Sequence, residues 1–364
     1  QAMQLSRPLS AVIFTGRFGM GHYAAAEAVR QEILAGEPAA QVRVVDVMDY
    51  LFPEASGRIY EAFNFLVKRC SWVYNLLNRA AGVRMNAPLQ GPVVKKLDAL
   101  LEGVDLVIAT LPLCSQYVSA YKRARQRKIP LYTYITDVTI HAEWIAEGTD
   151  LYFVGAESSR NALAARGVDP ARIVVSGIPV RQCFKASRQE ETHQQKQVLI
   201  MGGGLGLIPE ADALLETLSV RRDLRVTLIA GRNETLLRRV KERFPNVEAV
   251  GYTDRVAEYM GRADLVITKS GGITTFEAIH SETPLYILRP FLMQEVGNAR
   301  HIENLGMGWI GWQRGILPTV NDVNALLDND ALLARMRKNM RAVKSRWQSS
   351  SPLAYFRKAP ALCG

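Results

Sequence analysis

A short apolar strand that runs into a glycine turn and straight on into a helix fits few folds, and this chain repeats that unit from end to end. The fullest instance spans Asp264 to Arg300. Leu265 to Thr268 reads as a buried strand, Gly271-Gly272 as the turn, and Thr274, Thr275 and Glu277 fall early in the helix that follows; a second strand, Leu285 to Leu288, then leads into Gln294-Glu295. Unpaired N–H groups and the dipole at such a helix start attract phosphate, and glycine lets the backbone approach it closely. Glu277 sits about one turn further in, where a carboxylate accepts hydrogen bonds from ribose hydroxyls. Gln294, Glu295 and Asn298 follow the next strand, within reach of a hexose. The stretch points to a nucleotide carrying an extra polar group; the plainer reading is an ordinary βαβ unit with a surface carboxylate.

The rest of the chain keeps the pattern. Leu9 to Thr15 is a buried-strand run closed by Gly16-Arg-Phe-Gly19-Met-Gly21-His22, with an alanine-rich helix from Tyr23 to Leu34. Further strands are predicted at Val42 to Val47, Leu106 to Ala109, Pro130 to Thr136, Asp150 to Val154 and Ile173 to Ser176. The polar, aperiodic stretch Ala186 to Lys196 reads as a linker. The alternation then restarts with Val198 to Met201, ending in Gly202-Gly203-Gly204; Val226 to Ala230, ending in Gly231-Arg232-Asn233; and Val247 to Val250, before Gly251-Tyr252. Five strands are expected in this second half, followed by helices from about Val320 and Leu332. The expected architecture is α/β: two Rossmann-like, doubly wound domains facing across a cleft, with ligands at the carboxyl ends of the strands. The divisions are an N-terminal domain over 1–185, a linker over 186–196, a C-terminal domain over 197–346, and a tail over 347–364 that packs back on the first domain.

A length of 364 residues suits two such domains. The apolar runs fall short of the roughly 18 residues a spanning helix needs. No charged stretch followed by an apolar one opens the chain, so the sequence predicts no secretory leader and a cytosolic location. Cys70, Cys114, Cys183 and Cys363 are scattered, with no CxxC pair, and read as reduced structural thiols rather than a disulfide frame or zinc site. The net charge of +10 favours an anionic partner, which leaves nucleic acid, a phosphorylated substrate or an anionic membrane surface.

The first glycine turn admits two chemistries. Gly19-x-Gly21-x-x-Ala24, with Asp46 ending the next strand, fits a dinucleotide fingerprint and so a nicotinamide oxidoreductase, although His22 would crowd the pyrophosphate. Alternatively the turn presents His22 as a neutral general base, its cation disfavoured by the helix start. Thr136-Asp137-x-x-x-His141-x-x-Trp144 follows another strand end; Asp137 could orient that base or be the base itself, whereas a helix cap and a polar loop are the structural reading.

Seven motifs stand in one order: Phe18-Gly-Met-Gly-His22, Thr136-Asp137-Val-Thr-Ile-His141-Ala-Glu-Trp144, Gly177-Ile-Pro-Val-Arg181, Gly202-Gly203-Gly204, Gly231-Arg232-Asn233, Gly271-Gly272-Ile-Thr274-Thr-Phe-Glu277-Ala and Gln294-Glu295-Val-Gly-Asn298-Ala-Arg300. In that order the chain, from about Ala11 to Gly308, resembles monogalactosyldiacylglycerol synthases and processive diacylglycerol glucosyltransferases. The resemblance implies a GT-B fold and an inverting, metal-independent transfer of a hexose from a UDP-sugar to a lipid hydroxyl. On matching positions it implies that the loops at Gly202, Gly203 and Gly204 and at Ser270 to Thr274 hold the diphosphate, that Arg232 and Asn233 line the nucleotide, and that the backbone near Tyr252 meets uracil. It gives Glu277 the ribose, and Gln294, Glu295 and Asn298 the sugar. His22 and Asp137 face the acceptor, with Gly21, His141 and Trp144 beside them. Two departures stand out: Arg17-Phe18 occupies a turn where many members have small residues, and Met293-Gln294 replaces the more usual Gly-Gln.

Arg58 to Lys96 carries seven Lys or Arg against one acid, Glu61, with Phe63, Phe65, Leu66, Trp72, Tyr74 and Leu77 interleaved. Cations such as Arg69 beside an aromatic face suit an anionic leaflet, where each contributes on the order of 1 kcal/mol; a core helix with a solvated basic face is the alternative. No acidic pair accompanies the glycine loops to seat a divalent metal, so no cofactor is expected beyond the UDP-sugar co-substrate. The sequence thus predicts a peripheral enzyme on the inner face of the cell membrane, with a UDP-sugar, a lipid acceptor and an anionic surface as partners and no nucleic-acid module. A polyprenyl-linked or non-lipid acceptor, and a nucleotide-sugar-binding membrane sensor without turnover, are the competing functions.

Overall fold

The computed structural model describes residues 7–18, 20–69, 90–186 and 194–357. The chain divides into two compact units, Gln1–Gln182 with Trp347–Gly364, and Cys183–Arg346.

In the first unit the order is β1 (Ser10–Thr15), α1 (Met20–Gly36), β2 (Gln41–Asp46), α2 (Val47–Leu51), α3 (Ser56–Arg69), α4 (Gln90–Leu100), β3 (Leu106–Ala109), α5 (Pro112–Arg125), β4 (Leu131–Tyr134), β5 (Leu151–Val154), α6 (Glu157–Ala164) and β6 (Ile173–Val175). The strands form one parallel sheet, ordered β2-β1-β3-β4-β5-β6. β1, β3 and β4 are buried on both faces, which is why they read as unbroken apolar runs rather than alternating ones. Phe14, Val107 and Leu131 fill one layer with Val94 and Leu97 of α4, and Ile13, Ile108 and Tyr132 fill the other with Ala26, Val29 and Ile33 of α1. Tyr134 stacks on Phe153 at 4.1 Å between ring centroids, a contact worth about 0.5–1.5 kcal/mol beyond its area. The strand order reverses between β1 and β3, and the loops leaving that point carry the polar groups described below.

The segment after Arg346 completes this unit. Gln348 N–H donates to the Val175 carbonyl at 2.8 Å, and α14 (Leu353–Phe356) buries Leu353 and Phe356 in the α1-side core. Gly177 explains the glycine of the Gly-Ile-Pro motif: with φ of +72° and the Trp347 ring 2.9 Å from where a Cβ would stand, no side chain fits there.

The second unit runs β7 (Lys196–Met201), α7 (Ala211–Leu218), β8 (Leu224–Ile229), α8 (Glu234–Arg243), β9 (Glu248–Val250), α9 (Val256–Arg262), β10 (Leu265–Thr268), α10 (Gly272–Ser281), β11 (Leu285–Ile287), α11 (Met293–Asn304), β12 (Gly308–Ile310), α12 (Ile316–Leu327) and α13 (Asp330–Lys344). Its parallel sheet is ordered β12-β11-β10-β7-β8-β9, with the reversal between β7 and β10. Both six-stranded sheets are doubly wound, as the alternating pattern predicts. The sixth strand here, β12, is a difference from the five expected: Gly308-Trp309-Ile310 is too short and too glycine-flanked to stand out as an apolar run. Past β11, Gln294 and Glu295 lie in the first turn of α11.

Of the cysteines, Cys114 is buried, with its thiol 3.7 Å from the Thr15 carbonyl, and Cys183 is exposed; Cys70 and Cys363 lie outside the described residues. Among the described residues no helix is long and apolar enough to cross a membrane.

Candidate active site

Three strand ends of the first unit converge on one imidazole. α1 begins at Met20, so Gly21 and His22 lie in its first turn. His22 Nδ1 is 2.9 Å from the Thr110 carbonyl, just past β3, and 2.9 Å from Thr136 Oγ1, past β4. A carbonyl oxygen only accepts, so Nδ1 carries the proton and the neutral ring keeps its lone pair on Nε2. Thr110 also holds the backbone: its Oγ1 lies 3.0 Å from the His22 carbonyl and 2.8 Å from Thr15 Oγ1 at the end of β1. Burial holds the His22 pKa below its ordinary 6.5, against the opposing pull of the Asp137 carboxylate and the Thr110 carbonyl. The cation is thus disfavoured by desolvation.

Asp137 is half-buried in the bend after β4, close enough to act on the imidazole. The Trp144 ring lies 6.3 Å from that of His22 and is buried. Trp144 ends a single 3-10 turn, Ala142–Trp144, which His141 precedes without a side-chain cap bond. Gln116 of α5 fixes this turn by donating to the carbonyls of Glu143 and Ile145 at 2.9 and 3.0 Å. His22, Thr136, Asp137 and Trp144 are therefore gathered on one spot.

Asp46 is committed elsewhere. Its Oδ1 accepts from Tyr60 Oη at 2.7 Å and caps α2 through Met48 and Asp49 N–H, while Oδ2 pairs with Arg17 at 3.2 Å. A carboxylate so employed has little left for a ribose, which removes the support for the nicotinamide reading.

In the second unit the loops after β7, β8, β10 and β11 leave the same end of the sheet. Gly203, Gly206 and Gly231 have positive φ, and Gly204 accepts from Arg232 N–H at 3.0 Å, so the first two loops pack backbone against backbone. Arg232 lies over the ring of Tyr252 at 5.1 Å, both exposed. Asn233 caps α8 through Leu236 N–H at 3.0 Å and reaches the Gly206 carbonyl at 3.2 Å, so its side chain serves the loop first. At the reversal point, Gly271 is the N-cap of α10 with no side-chain cap bond, and no acidic residue lies in the first turn. That leaves the Gly272 end of the helix with the polarity an anion needs. Thr274 is half-buried there, and Glu277 is buried one turn on.

Ser270 donates to the Glu295 carbonyl at 2.7 Å, and Asn298 Nδ2 donates to the Ser270 carbonyl at 2.9 Å, locking α11 onto the β10 turn. Glu295 accepts from Phe291 and Leu292 N–H at 3.1 and 3.3 Å and pairs with Lys269 at 3.1 Å. Gln294, by contrast, buries Oε1 with no partner, an acceptor set for a donor such as a sugar hydroxyl. Among the described residues no group of three or more His, Cys, Asp or Glu is placed to hold a metal ion. Gly19, Trp72 and Tyr74 lie outside the described residues, and α3 ends at Arg69. Two residues escaped the sequence reading. Thr110 and Lys269 each directly follow a strand, and that position was the only signal either gave.

Family models match both units. Residues 22–180 match monogalactosyldiacylglycerol (MGDG) synthase, and residues 197–347 match the glycosyltransferase family 28 C-terminal domain. The chain is a glycosyltransferase. Curated relatives agree: processive diacylglycerol beta-glucosyltransferase of Bacillus licheniformis is 29% identical over 263 residues, covering 68% of each chain. The Bacillus subtilis protein of the same name is 26% identical over 355 residues, covering 91% of this chain and 90% of its own. Among solved structures, MurG of Acinetobacter baumannii has a TM-score of 0.62 at 15% identity, covering 97% of this chain and 100% of that one. The spinosyn rhamnosyltransferase SpnG, complexed with thymidine diphosphate, has a TM-score of 0.62 at 12% identity, covering 96% and 99%. These likenesses establish the GT-B fold. As a glycosyltransferase, the chain carries the glycine turns after β1, β7 and β10 at strand ends where its sheets reverse order.

Proposed function

We propose that this glycosyltransferase moves a hexose from a UDP-sugar to the hydroxyl of a diacylglycerol, with inversion and without a metal, at the inner surface of the cell membrane. The observation that carries the reading is the His22 imidazole, bound at Nδ1 by a carbonyl that leaves Nε2 as the base. In the step, the acceptor oxygen forms its bond to the anomeric carbon and its proton passes to Nε2. The bond from that carbon to the diphosphate breaks, and UDP leaves with the electron pair. The α10 terminus, Gly203, Gly204 and the Arg232 guanidinium offset the charge that develops on UDP. The Asp137 carboxylate stabilises the imidazolium formed at His22. The names of the Bacillus relatives support the lipid acceptor and make glucose the first donor to try. The basic, aromatic Arg58 to Lys96 stretch supports a surface location.

Detergent-dispersed diacylglycerol offered with UDP-glucose, UDP-galactose and UDP-N-acetylglucosamine tests the reading by product mass. A glycolipid from one of these donors, formed at the same rate in the presence of EDTA, is expected. UDP release with no lipid product from any donor would instead favour a polyprenyl-linked or non-lipid acceptor, and binding without turnover would favour a sensor. Glu277→Ala is expected to weaken UDP-hexose binding by roughly tenfold to a hundredfold in calorimetry, the usual loss for a charged hydrogen bond. Unchanged affinity would take Glu277 out of the donor site.

A further inference from the structure

The turn that delivers His22 is fastened by a residue outside every motif. Tyr60, on α3, is buried, and its hydroxyl does two things at once: it donates to Asp46 Oδ1 at 2.7 Å and accepts from the Arg17 N–H at 3.0 Å. The Arg17 guanidinium lies 4.8 Å over the Tyr60 ring and pairs with Asp46 and Asp49, and the Phe18 ring sits 5.0 Å from that of Tyr60. The fit leaves no slack, since a Cβ on Gly16 would stand 3.2 Å from the Tyr60 hydroxyl and 3.1 Å from Leu111. Arg17 and Phe18, which stand where small residues are usual, are thus the two side chains that grip α3.

We propose that Tyr60 is a positioning residue for the transfer reaction, holding the Gly16 to Phe18 turn so that α1 starts where His22 meets Thr110 and Thr136. The inference rests on His22 being the base. Burial, with Asp46 beside it, pushes the phenol pKa up, so the hydroxyl keeps the proton it donates. Without that hydroxyl, the Arg17 N–H and an Asp46 oxygen both lose a partner at the root of the turn. A displacement of the base by a fraction of an ångström is then enough to slow proton transfer.

The test is a double-mutant cycle in the diacylglycerol assay, with circular dichroism setting a temperature at which each variant is folded. Tyr60→Phe is expected to lower kcat by about tenfold to a hundredfold and to leave the donor KM within about twofold. Asp49→Asn, at the exposed end of the Arg17 pair, is expected to change kcat by less than about threefold. In a His22→Ala background, Tyr60→Phe is expected to cost nothing further, which a merely structural role would not produce. Asp46→Asn keeps an oxygen for the α2 cap but weakens the bond from Tyr60; it should show the same pattern at smaller amplitude, and replaces Tyr60→Phe if that variant does not fold. A wild-type kcat in Tyr60→Phe, or an equal loss with and without His22, overturns the inference while leaving the base assignment intact. Wild-type turnover in His22→Ala overturns both.

Discussion

Replacing His22 with Ala is expected to cut turnover by about 10²–10⁴-fold and to leave UDP affinity within about twofold. The two effects separate because the imidazole belongs to the first unit, where it is held by Thr110 and Thr136 and feels the Asp137 charge, whereas the loops after β7 and β8 and α10 belong to the second. The pH profile carries a sign. A base must be unprotonated, and burial sets the His22 pKa below 6.5. The rate should therefore rise through that depressed value on the acid side and be level by neutral pH. Asp137 raises the His22 pKa, so Asp137→Asn should move the acid limb to lower pH while reducing the plateau, because the imidazolium loses its counter-charge. A limb that moves to higher pH in Asp137→Asn contradicts this electrostatic account, and a full rate in His22→Ala removes the base.

The second large effect is expected at Gly206, a residue whose side of the fold carries no acid–base chemistry. Gly206 has φ of +60°, and a Cβ there would stand 1.8 Å from the Ala230 carbonyl oxygen and 2.8 Å from Asn233 Cβ. Neither neighbour is free to move: Ala230 N–H is bonded to Val250 across the sheet, and Asn233 caps α8 while reaching the Gly206 carbonyl. Gly206→Ala therefore forces the loop after β7 out of register with the loop after β8. UDP affinity should fall by at least about tenfold, and the melting temperature by several degrees, since a backbone clash of this kind costs well above 1 kcal/mol. Gly261→Ala is the control. It lies in α9, outside the glycine loops, its φ is not positive and nothing lies within 4 Å of an added Cβ, so it should bind UDP almost as wild type does. Equal binding by Gly206→Ala and wild type would mean that the two loops do not need this packing.

The parts that the sequence made legible are those with a local physical cause. Fully buried parallel strands must be apolar on both faces, so Leu106 to Ala109 and Leu265 to Thr268 can be read to the residue. Glycines forced by positive φ or backbone contact mark the loops, as at Gly203 and Gly231. What stayed hidden depends on partners distant in the chain. Nothing near Thr110 announces that its carbonyl sets the tautomer of an imidazole 88 residues earlier. Glu295 and Asn298 read as free polar groups, yet the first caps α11 and pairs with Lys269, and the second ties that helix to Ser270. Asp46 looked like a ribose acid because its strand-end position is right; only the fold brings Tyr60 and Arg17 to occupy it.

The most direct measurement is the anomeric configuration of the purified glycolipid, read from its proton coupling at C1 after transfer from an α-configured UDP-hexose to diacylglycerol. One displacement by a hydroxyl that His22 deprotonates predicts a β-linked product. An α-linked glycolipid, or free hexose and UDP with no glycolipid at all, would contradict it.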